Sequence, residues 1–165
     1  YGGGLVLDAN EVDADDPAAP AIGERQGPSF RDLQLTNAQI LALNATPQVV
    51  VAAPGAGRAV IVDRLYLRLE AGAAYTEVGG QDTVLEYADG TDILTIDGTG
   101  FFTDAGVQLR SFTSGALGDA IAGQTPVANS AVRLFKTVAE FGGGAAARTL
   151  SVRVYYHIVD TGAFE

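Results

Sequence analysis

The sequence predicts an all-β chain: an antiparallel β-sandwich of jelly-roll type, with one short helix near residues 36–44 and an extended N-terminal arm. Three observations carry that expectation. Apolar and polar residues alternate over two long runs, residues 61–70 and 150–158, which is the period of a half-buried strand. Glycine supplies 21 of 165 residues, nearly twice the ~7% of an average protein, and the excess falls between apolar runs, where turns are needed. At 47% hydrophobic residues the chain can build a core, and its length fits one domain.

Taken in order, residues 1–32 form the arm. They hold seven acids (Asp8, Glu11, Asp13, Asp15, Asp16, Glu24 and Asp32) against Arg25 and Arg31, so this fifth of the chain carries −5 of the net −10. With Gly2-Gly3-Gly4 and three prolines added, such a segment buries too little apolar surface to make a core of its own. Residues 33–165 are the single β-domain. Thr36 followed three residues later by Gln39 and then by Ile40, Leu41 and Leu43 reads as a capped short helix, which Pro47 stops.

From there the period is two. Ile61, Leu65, Leu67 and Leu69 fall on one face, with Arg64, Tyr66, Arg68 and Glu70 on the other. In the last run, Leu150, Val152, Val154, Tyr156 and Ile158 point one way, and Thr149, Ser151, Arg153, Tyr155 and His157 the other. Shorter candidates lie at 48–53, 83–88, 93–96, 107–113 and 131–139. Turns at Pro54-Gly55, Gly79-Gly80, Asp89-Gly90, Asp97-Gly98 and Gly142-Gly143-Gly144 separate them. Asp89-Gly90 is a hairpin signal whose two central positions favour positive φ. Residues 116–122 read as a helical turn or a loop. Seven or eight strands at this spacing give a sandwich.

Charge and composition exclude several functions. A net charge of −10 repels nucleic acid and anionic membranes, so neither is an expected partner. No run approaches the ~20 apolar residues of a membrane helix, and Leu5-Val6-Leu7 is too short for the core of a signal peptide. Without cysteine there are no disulfides or thiolate sites. One histidine and one lysine leave little for acid–base chemistry, and the G-x-S-x-G elbow of serine hydrolases is missing. No enzyme and no cofactor are expected.

The residues that invite a site have simpler explanations. His157 is the one candidate base near neutral pH, yet alternation sets it beside Arg153 and Tyr155 on a solvated strand face. The run Asp8 to Asp16 resembles a calcium loop only in its acids: counted from Asp8, the sixth position is Asp13, not glycine, and the twelfth is Ala19, not glutamate. Asp89-Gly90-Thr91-Asp92 and Asp97-Gly98-Thr99-Gly100 are complete as turns. The segment Gly98 to Thr103 lacks the last glycine of a dinucleotide fingerprint, and Lys136 stands outside any phosphate loop.

Two stretches resemble a known group. Leu35-Thr36-Asn37-Ala38-Gln39 through Pro47, then Val49-Val50-Val51 through Pro54-Gly55-Ala56-Gly57-Arg58 and the strand to Leu69, are similar to the opening of small tailed-phage virion proteins. The closing run Leu150 to Asp160, with Tyr155-Tyr156-His157, is similar to their last strand. The resemblance covers residues 33–160 and leaves the acidic arm outside. It implies a head decoration or other capsid-associated structural protein on the outer capsid surface, bound to the major capsid protein and forming a homotrimer. Tyr66, Tyr155 and His157 then become interface candidates, together with Asp8, Glu11, Asp13, Asp15 and Asp16 of the arm. The alternative from another class is a tail-fibre or head-fibre module that binds a receptor or glycan, whose mark would be aromatics clustered on loops. Phe101-Phe102 is the one such pair.

Overall fold

A computed structural model describes residues 28–77, 82–114, 120–121 and 123–164. Along the chain run β1 (Ser29–Leu35), α1 (Asn37–Leu41), β2 (Gln48–Val51), β3 (Arg58–Leu69), β4 (Tyr75–Thr76), β5 (Thr83–Tyr87), β6 (Asp92–Ile96), β7 (Gln108–Ser114), β8 (Ala120–Ile121), β9 (Val132–Lys136), β10 (Gly142–Gly143) and β11 (Leu150–Asp160). They form a five-stranded sheet in the order β1-β11-β3-β7-β8, a four-stranded sheet β2-β9-β5-β6 and the two-stranded pair β10-β4. All pairings are antiparallel except β7 with β8. The all-β antiparallel expectation holds and a sandwich fits it, but the strand order does not by itself establish a jelly roll.

The helix forms where its caps are. Gln39 N–H donates to the Thr36 hydroxyl at 3.4 Å, and Thr36 N–H donates to Gln39 Oε1 at 3.0 Å. This reciprocal box caps a helix of only five residues, and Ile40, fully buried, ties it to the core.

The core lies between the two large sheets. Leu65, Leu67, Leu69, Leu150, Val152 and Val154 come from β3 and β11, and Leu85, Tyr87, Leu94, Ile96, Val132 and Leu134 from the opposing sheet. Burying each such side chain contributes about 1.5–3 kcal/mol before entropy is counted. One end is filled by aromatics: the Phe102 ring lies 4.5 Å from that of Phe141 and 4.9 Å from that of Phe101. Phe101 and Phe102 are both wholly buried, so the one aromatic pair that marked a glycan-binding loop is core.

Several local expectations change. Strand β1 starts at Ser29, so four residues given to the arm by composition are sheet; residues 1–27 lie outside the described residues. Ile61 does not share a face with Leu65. Tyr155 pairs with Arg64 and Tyr156 with Val62, which leaves Asp63 as the extra residue of a β-bulge. A bulge shifts the alternation by one, so Val60 and Val62 are buried while Ile61 is half-buried. At the far end of β11, Ile158 is 38% exposed although its period places it inward; β1 pairs with β11 only as far as Ser29 opposite Tyr156, so this end of β11 is an edge. The β5–β6 turn takes positive φ at Gly90 (+93°) but not at Asp89. Residues Ala120 and Ile121, read as loop or helical turn, are strand, and Gly79-Gly80 lies outside the described residues.

Candidate functional site

The five-stranded sheet buries one face and leaves the other uncovered among the described residues. Register decides what stands there, because directly opposed residues in antiparallel strands point the same way. Three rows cross β1, β11, β3 and β7. The first is Phe30, Tyr155, Arg64 and Thr113; the second Asp32, Arg153, Tyr66 and Ser111; the third Gln34, Ser151, Arg68 and Leu109. Strands about 4.8 Å apart bring these side chains into contact.

Aromatic rings and guanidinium groups interlock across the rows. The Tyr155 ring is 5.8 Å from Phe30 and 6.0 Å from Tyr66, the latter edge-on at 77°. Arg153 stacks over Phe30 at 5.2 Å while its Nε and Nη2 donate to the two Asp32 oxygens at 2.6 and 2.7 Å. That two-point bond holds the Asp32 carboxyl below its usual range and pushes the guanidinium up. Arg64 donates to the Tyr66 hydroxyl at 3.1 Å, and Arg68 pairs with Glu70 at 2.5 Å. At the margins Phe30 is 56% and Leu109 71% exposed.

Across these strands lies a shallow trough of about 970 Å³. Its lining includes Tyr66, Tyr155, Leu109 and Ser111. Arg68 and Arg153 bring charge to it, each paired with an acid, Glu70 and Asp32; Arg110, opposite the buried Leu67, turns its guanidinium to the other side, where it donates to Asp97 O and Thr99 O. With Arg64 of the first row added, three guanidinium groups stand on this face against two acids, in a chain of net −10.

Of the residues singled out by sequence, Tyr66 and Tyr155 stand together here. His157 lies two residues further along β11 on the same face, where its Nδ1 makes a 2.9 Å pair with Asp63 Oδ2. The bulge that displaces Asp63 thus gives the histidine a partner. Asp8, Glu11, Asp13, Asp15 and Asp16 are outside the described residues. Phe30, Asp32, Arg68, Arg153 and Leu109 were missed as site residues. Alternation within one strand showed which face Arg68 and Arg153 take, but only pairing between strands distant in sequence sets them side by side.

Other sites offer less. Asp89 Oδ1 accepts from Thr91 N–H at 3.0 Å and Asp97 Oδ1 from Thr99 N–H at 2.8 Å, so both acids close turns. Among the described residues there is no group of three or more histidines, cysteines or acids placed to hold a metal, and no helix long and apolar enough to cross a membrane. At the core's edge Lys136 Nζ lies 3.7 Å from Glu77 Oε1, both side chains being nearly buried. Burial pushes the Glu77 carboxyl up and the Lys136 amine down.

No family model matches the chain, and no curated protein matches it. Among solved structures it is similar to a chain described as "Cyanophage Pam1 capsid asymmetric unit", with 18% sequence identity over 84% of this chain and 90% of that one, at a TM-score of 0.47.

Proposed function

We propose that this chain is a structural protein of a tailed-phage virion, a decoration or cement protein that binds the major capsid protein and stabilises the shell from its outer surface. The observation that carries the reading is the uncovered face of the five-stranded sheet. Tyrosine and arginine are among the residues that dominate the energy of protein interfaces and phenylalanine is enriched in them, and here they are held by strand register with little freedom to lose. Binding through such a face requires no reaction. The stretches that resemble small virion proteins fall on α1, β2, β3 and β11, and two of these, β3 and β11, build the face. The same resemblance supports a homotrimer.

Electron cryomicroscopy of particles that carry the chain tests this. Density for the sandwich at regular positions on the outer head, with Tyr66 and Tyr155 turned to the shell, supports the proposal. Density at a fibre or tail, or a lattice position with this face in solvent, overturns it.

A further inference from the structure

We infer that the trough on the five-stranded sheet is a docking site for an acidic peptide, and that in the free protein its occupant is this chain's own segment from Asp8 to Asp16. The inference concerns the chain before it meets any partner, and so stands or falls apart from the virion reading.

Charge is the first argument. Residues 1–27 hold six acids and one arginine, while the uncovered rows around the trough set Arg64, Arg68 and Arg153 against Asp32 and Glu70. The internal pairs do not exhaust the guanidinium groups. Each offers five N–H donors; Arg153 spends Nε and Nη2 on Asp32, and Arg68 meets Glu70 through Nη1. Their remaining donors can take carboxylates in two-point geometry.

Chain reach is the second. The described chain begins at Pro28 and enters β1, the edge strand, with Phe30 standing in the first row of the face. From Ser29 back to Asp16 are thirteen residues, an extended reach of about 45 Å, whereas β1 to β7 spans three strand spacings, about 14 Å. A tether of this length holds the acidic run near the trough at an effective concentration on the order of millimolar. Weak individual pairs between exposed charges can then add up without a second molecule.

The test uses the full chain, which has no cysteine, so Ala14→Cys gives one position for a spin label. Amide signals of the ¹⁵N-labelled protein are recorded at low salt. The inference predicts broadening confined to the trough, at Tyr66, Arg68, Ser111, Ser151 and Arg153. It predicts loss of that broadening in about 1 M sodium chloride, where the screening length falls to ~3 Å, and loss again in Arg68→Ser/Arg153→Ser. Should that variant fold poorly, Asp13→Asn/Asp15→Asn/Asp16→Asn, which leaves the sheet untouched, must abolish it instead. Absent or diffuse broadening at low salt, or broadening that survives the arm variant, overturns the inference. So does broadening in a mixture of spin-labelled unenriched chain with ¹⁵N chain lacking the label, since the segment would then come from a second copy.

Discussion

The guanidinium of Arg148 lies 5.1 Å from the centre of the Tyr75 ring, fully buried, with backbone carbonyls as its hydrogen-bond acceptors. Nε donates to Glu70 O at 2.8 Å; Nη1 to Ala73 O and Phe102 O; Nη2 to Asp104 O and Gly106 O. These bonds match all five donors of the side chain. The acceptors sit in the loop after β3 and the loop before β7, and Arg148 itself leads into β11. One side chain therefore fixes the ends of the three strands that carry the candidate interface.

Arg148→Ala leaves those carbonyls unsatisfied in the interior. Hydrogen bonds to a charged group contribute about 1.5–3 kcal/mol each in context, so a loss of about 3–5 kcal/mol is expected, a large part of a typical domain's stability. Chemical denaturation checks it. Arg148→Lys should recover only part of the loss, since an ammonium cannot reach both loops with a planar fork. Full recovery by lysine would mean that charge, and not the carbonyl network, is what matters.

Gly98 is required by contact, not by conformation. A Cβ there would collide with the Glu77 carboxylate, so Gly98→Ala must displace that group from its place beside Lys136, 3.7 Å distant. The expected cost is about 1–3 kcal/mol, as for other overpacked sites. In a Glu77→Ala background the same substitution should cost much less, and thermal melts of the four proteins measure the coupling.

Tyr87 gives the fold an alkaline pH dependence. Its hydroxyl donates to Val60 O at 2.5 Å inside the core, and burial, helped by Asp89, raises the phenol to about 12. With an unfolded value near ~10, the folded state holds this proton more tightly. Its contribution is complete below about pH 10 and is lost as pH rises toward about 12, amounting to about 2–3 kcal/mol. Tyr87→Phe should be less stable than the parent at pH 8, yet its stability should fall less between pH 10 and 12. Parallel curves for the two proteins would contradict this.

What was legible in the sequence was local. Thr36 and Gln39 announce the capped helix because both halves of the box lie within one turn. The period of β11 from Leu150 to His157 reads directly because each residue's face depends only on its neighbours. Ile61 was misplaced because a bulge is a property of two strands: nothing in residues 61–69 alone shows that β11 skips Asp63. Arg148 was silent for a related reason, since its partners are backbone carbonyls that no residue type marks. Lys136 alternates with Val132 and Leu134 along β9 and points inward with them, which the usual exposure of lysine conceals. Tyr66 and Tyr155 were found singly, but the site as a surface exists only in the register of β1, β11, β3 and β7.

In the proposed function, this surface attaches the protein to a phage shell. The most direct measurement is the affinity of the full chain for heads lacking it, compared with Tyr66→Ala/Tyr155→Ala. Two interface anchors at about 2 kcal/mol each predict a loss of about 10³-fold, tenfold per 1.4 kcal/mol, with the melting temperature little changed because both side chains are half-exposed. Undiminished binding by the folded double variant would contradict the claim.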